Sequence, residues 1–182
     1  MKINFKALLQ EQYLIPVKII LMYVVWKVFH YFAVIPGTAL NHYWLGFVFW
    51  LGTVYAAVCS FLLSMLGLKA VSTGININLV ASGKEIWVQD HCLAIPAMVV
   101  FTGAVIFFKG TFSDKAKFLA AGLAGIALIN IVRIILVSFA WVYLTPYFFK
   151  INHAVIYVVV MYGFIFYMIA QWINRTLKKM EA

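Results

Sequence analysis

Residues 118–144 read FLAAGLAGIALINIVRIILVSFAWVYL, and this stretch decides what kind of protein the chain is. Crossing the hydrocarbon core of a bilayer takes about 20 predominantly apolar residues, and 118–144 supplies them. The stretch is apolar on every side, without the single stripe by which a soluble helix faces its core. Two polar residues interrupt it, Asn130 and Arg133. An arginine near a membrane-helix centre costs roughly 2.5–3.5 kcal/mol on insertion scales, so it is expected to face the bundle or a watery cavity and to pair there. Asn130 precedes it by one helical turn on the same face and is expected to orient the guanidinium.

Working outward, the same character holds along the chain. Of 182 residues, 66% are hydrophobic and 10% charged, whereas soluble domains carry about 25% charged residues. Five runs qualify as spans: about 14–35, 43–66, 92–108, 118–144 and 153–173. The expected architecture is therefore an all-α polytopic membrane protein, one membrane-embedded domain over 1–182. Between the second and third runs, residues 67–91 differ. Ile75, Ile77 and Leu79 alternate with Asn76, Asn78 and Val80, and the alternation resumes at Ile86 and Val88 after a turn containing Gly83. That period of two predicts a short β-hairpin. Its backbone cannot face lipid, so it belongs at the interface, capping the helices.

The net charge of +9 does not point to nucleic acid, because Lys69, Lys109, Lys115, Lys117, Arg175, Lys178 and Lys179 sit at the ends of apolar runs. Basic residues there set orientation and meet anionic headgroups. The 109–117 loop and the C-terminal tail are expected in the cytoplasm. The hairpin, the start of the third span and the start of the fifth then lie on the extracytoplasmic side. Five spans would also put Lys2 and Lys6 outside, against the same rule. The expected location is the cytoplasmic (inner) membrane, with lipid rather than nucleic acid as the surrounding partner.

Three residue types converge on the outer side. Cys92 follows Asp90 and His91 directly, and Pro96 suits the first turn of a helix, which places Cys92 near a helix N-terminus. The helix dipole and a nearby cation favour a nucleophilic thiolate. Cys59 lies inside the second span and reads as a small buried apolar residue. His153, beside Asn152, opens the fifth span. A cysteine and a histidine supply nucleophile and proton shuttle, and an arginine supplies a donor for a developing oxyanion. The catalytic candidates are thus Cys92, Arg133 and His153, with Asp90, Asn130 and Asn152 supporting. His30, His42 and His91 have no comparable setting. No H-E-x-x-H, G-x-S-x-G or P-loop pattern occurs, so no metal or cofactor is expected.

Asp90-His91-Cys92-Leu93-Ala94-Ile95, Asn130-Ile131-Val132-Arg133-Ile134, and Asn152-His153 ahead of Tyr162-Gly163-Phe164 and Trp172 together resemble the exosortase/archaeosortase family. These are polytopic membrane enzymes of bacteria and archaea with a Cys, an Arg and a His in that order. The resemblance covers roughly residues 66–182, and Ala94 stands where the family commonly has glycine. It implies a cysteine protease/transpeptidase acting on exported proteins that end in a short motif, a membrane helix and a basic tail. Cys92 would form a thioester, His153 would pass a proton to the leaving amine, and Arg133 would stabilise the oxyanion. Water or an amine acceptor would then release or transfer the product. The rival reading is a non-catalytic assembly or transport subunit in which Arg133 is an intramembrane pairing residue.

Overall fold

The structure, a computed structural model, describes residues 5–107, 110–144 and 157–181. These form five helices and a small sheet: α1 (Phe5–Ala33), α2 (Ala39–Met65), β1 (Ala70–Thr73), β2 (Asn76–Leu79), β3 (Lys84–Trp87), a 3-10 turn (Asp90–Cys92), α3 (Ile95–Phe107), α4 (Phe112–Tyr143) and α5 (Tyr157–Glu181). Among the described residues, three stretches are long and apolar enough to cross a membrane: α2, α4 and residues Tyr157–Arg175 of α5. Helix α3 and the Ile20–Ala33 part of α1 are shorter apolar helices. At 1.5 Å per residue α3 spans only about 20 Å. The third expected span therefore starts at Ile95 rather than at Cys92, because the chain turns through Ala94 before the helix begins.

The helix ends follow local chemistry. Pro36 disfavours helix at the residue before it, Gly37 turns at φ 80°, and Thr38 caps α2 by accepting from the Asn41 backbone N–H at 3.0 Å. Asn41 Nδ2 then donates 2.9 Å to the Ala33 carbonyl, closing the end of α1. At the far end of α2, Gly67 takes φ 89°, while the Leu68 and Gly67 amides bond back to the Leu63 and Ser64 carbonyls. This is a Schellman ending, and its apolar clasp is Leu68 on Leu63, both buried.

The hairpin expected at 67–91 is present as β2 and β3, and a further strand, β1, extends it to a three-stranded antiparallel sheet of order β1-β2-β3. The pairs Thr73↔Asn76 and Leu79↔Lys84 set the register. Ile77 and Leu79 are buried on one face, as strand alternation requires. Strand β1 has a faint signal because its single fully buried residue is Ala70. The sheet sits on α2 at Gly52: a Cβ there would meet the Val88 carbonyl oxygen at 2.8 Å and the Ile75 side chain at 3.0 Å. Lys84 Nζ ties the other edge to α4 by donating 2.7 Å to the Trp141 carbonyl.

The helices bury a mostly apolar interior and also present large apolar side chains outward. On α4, Asn130, Arg133 and Ser138 are buried, while Leu128 and Leu136 point outward; Phe61 of α2 and Phe166 of α5 do likewise. Outward apolar faces suit lipid, which solvates them at no cost, whereas buried polar groups need partners. Small residues let the helices close up: Phe101 of α3 lies against Gly122 and Phe164 of α5 against Gly125, both where a side chain would otherwise stand. Lys115 Nζ reaches back 2.8 Å to the Ile106 carbonyl near the end of α3.

Candidate active site

The site forms where the sheet hands the chain to α3. Seating of Val88 on Gly52 fixes the strand end, and the 3-10 turn follows at once, closed by Cys92 N–H to Gln89 O at 2.7 Å and Leu93 N–H to Asp90 O at 3.1 Å. Ala94 then takes φ 56°, swinging the chain into α3. Cys92 is left half-buried at the lip of the bundle, with its thiol 3.8 Å from the Trp87 carbonyl, a weak S–H···O contact.

Helix α4 supplies the opposite wall. Asn130 is fully buried, and its Nδ2 donates 2.6 Å to the backbone carbonyl of Cys92. The sequence suggests that Asn130 orients the guanidinium. Its partner is instead the backbone of Cys92, because the 3-10 turn aims that carbonyl at α4 and a buried carbonyl requires a donor. Tyr55 of α2, also buried, presents its phenol to the same amide. Among the described residues Asn130 Oδ1 makes no hydrogen bond of good geometry.

One turn along from Asn130, Arg133 is 6% exposed on the same inward face. Its guanidinium carbon lies 4.0 Å from the ring centroid of Tyr157, the first residue of α5, a cation–π stack. Tyr157 is also within electrostatic reach of Cys92, Tyr55 and Tyr162. Cys92, Asn130 and Arg133 thus gather with two tyrosines, Tyr55 and Tyr157, where α2, α4 and α5 meet the 3-10 turn. Neither tyrosine stands out in sequence, since each reads as one more aromatic in an apolar helix. Cys59 is buried in α2, in keeping with a packing role.

Asp90 bonds to His30 of α1, Nε2 to Oδ2 at 2.8 Å. The sequence reading leaves His30 without a setting, and the structure corrects this: His30 docks α1 onto the 3-10 turn that carries Cys92. Its ring is flanked by Trp26 and Trp44 at centroid distances of 5.5 and 5.7 Å. A partner 60 residues away in sequence leaves no local pattern by which to find it. His153 and Asn152 lie outside the described residues.

A half-buried thiol, an anchored backbone carbonyl and a buried guanidinium gathered in this way are groups that can hold and polarise a carbonyl beside a nucleophile. A family model for transmembrane exosortases matches residues 14–173 of this chain, a stretch that takes in the N-terminal helices as well as the site. No curated protein and no solved structure matches it.

Proposed function

The chain belongs to the transmembrane exosortase family, and from that membership we propose a membrane-embedded cysteine protease/transpeptidase of exported proteins. Its substrates end in a short motif, a membrane helix and a basic tail, and the reaction takes place at the extracytoplasmic face of the cytoplasmic membrane. The Cys92 thiolate attacks the scissile carbonyl carbon, forming an S–C bond, and the Arg133 guanidinium stabilises the oxyanion. The thiol proton passes through His153 to the departing amine as the C–N bond breaks, leaving an acyl thioester on Cys92. Water or an amine acceptor then attacks the thioester and restores the thiol.

The observation that carries this reading is the way α4 grips the nucleophile: Asn130 holds the Cys92 carbonyl at 2.6 Å while Arg133 follows one turn on, buried toward the same pocket. Tyr157, beside Arg133, comes four positions after His153 in sequence. Arg133 already stacks on a ring of its own chain, which favours the enzymatic reading over a subunit that reserves this cation for a partner helix. The test is capture of a covalent Cys92–acyl adduct by mass spectrometry, with precursor processing followed in cells. Cys92→Ala is expected to abolish both. Full processing by that variant would refute the mechanism.

A further inference from the structure

We infer that Tyr157 is a positioning residue for Arg133, its ring fixing the plane in which the guanidinium donors lie; this rests on the oxyanion role proposed above. All five N–H donors of a guanidinium lie in its plane. A ring stacked on one face at 4.0 Å therefore constrains their direction without taking up a donor. A long arginine side chain otherwise samples many rotamers, and oxyanion stabilisation depends on donors already aimed where charge will develop. Burial adds to the effect. Arg133 is 6% exposed, and a cation–π contact is stronger when water is excluded. Tyr157 also lies within electrostatic reach of Cys92.

The role belongs to the π face rather than to the phenol hydroxyl, and that separates it from simple packing. The chain has two arginines, Arg133 and Arg175, so their side-chain Nε–H resonances can be told apart in full-length protein in lipid nanodiscs. The Arg133 resonance is expected upfield, shifted by the Tyr157 ring current. It should keep that shift in Tyr157→Phe and lose it in Tyr157→Leu. Phenylalanines bearing one, two or three ring fluorines at position 157 keep the shape and progressively weaken the quadrupole, so the shift should shrink stepwise.

In cells, the Cys92–acyl adduct formed by Tyr157→Leu should fall about 10- to 30-fold, the rate equivalent of a desolvated cation–π contact. Tyr157→Phe should recover most of it, and the fluorinated series should decline in order. An Arg133 resonance that ignores the ring, a flat fluorinated series, or a loss in Tyr157→Phe equal to that in Tyr157→Leu would each overturn the inference. Absence of any Cys92 adduct in the wild type would instead remove the enzymatic reading, and the resonance shift would still decide whether Tyr157 holds the arginine.

Discussion

At the scale of single residues, Ala94 is the most exacting position. Among the described residues it is the one non-glycine with a positive φ, 56°, and it stands two residues after Cys92. A left-handed L-residue carries about 1–2 kcal/mol of strain, which a glycine in the same place would not. Glycine would remove the strain but regain roughly 0.5–1 kcal/mol of unfolded-chain entropy. Ala94→Gly should therefore raise stability by up to about 1 kcal/mol, read as a higher thermal unfolding midpoint in detergent. Ala94→Val, with a branched Cβ in the same conformation, should lower it. The opposite order would mean that the alanine methyl, buried among α3, α4 and α5 residues, contributes more than the strain costs. Asn130 makes a related point: a buried amide in a membrane helix invites a side-chain partner, and it finds a backbone one in Cys92.

At the scale of elements, the sheet and α2 form one working unit through Gly52. The nearest atom to a Cβ built there is the Val88 backbone carbonyl oxygen at 2.8 Å, which cannot rotate away as a side chain could. Gly46, two turns earlier on the same helix, has nothing within 4 Å. Replacing a helix-interior glycine by alanine ordinarily gains about 1 kcal/mol. Gly46→Ala should show that gain, whereas Gly52→Ala should lose roughly 1–3 kcal/mol through overpacking. Gly52→Ala should also depress formation of the Cys92 adduct, because Val88 leads directly into the nucleophile's turn. Thermal midpoints of the two variants, measured side by side, separate helix propensity from docking. Equal behaviour would show that the sheet is not held by this contact.

At the scale of the whole molecule, the question is which side of the membrane the site faces. Lysines cluster at 109–117, where α4 begins, and at the end of α5, and the positive-inside rule predicts that both face the cytoplasm. A membrane-impermeant maleimide added to intact spheroplasts should therefore label Cys92, which is half-buried, and leave Cys59, which is buried. Labelling of Cys92 only after lysis would reverse the orientation. Two joints hold the bundle in this arrangement: His30 on Asp90, which brings α1 to the nucleophile's turn, and Phe101 and Phe164 against the glycines of α4.

Much of this protein is legible in its sequence because a bilayer imposes long-range rules that act locally. Uninterrupted apolar length marks the spans, a period of two marks β2 and β3, and the cost of burying a guanidinium marks Arg133 as a residue facing inward. The place of Cys92 just ahead of a helix is legible too, since the 3-10 turn and α3 are local structures. What tertiary structure alone decides is partnership. That Asn130 grips the Cys92 carbonyl, that Tyr157 stacks on Arg133, and that His30 answers Asp90 each depends on helices far apart in the chain meeting at one depth. No local propensity records such meetings: the short sheet on Gly52 and the close packing along α4 bring them about.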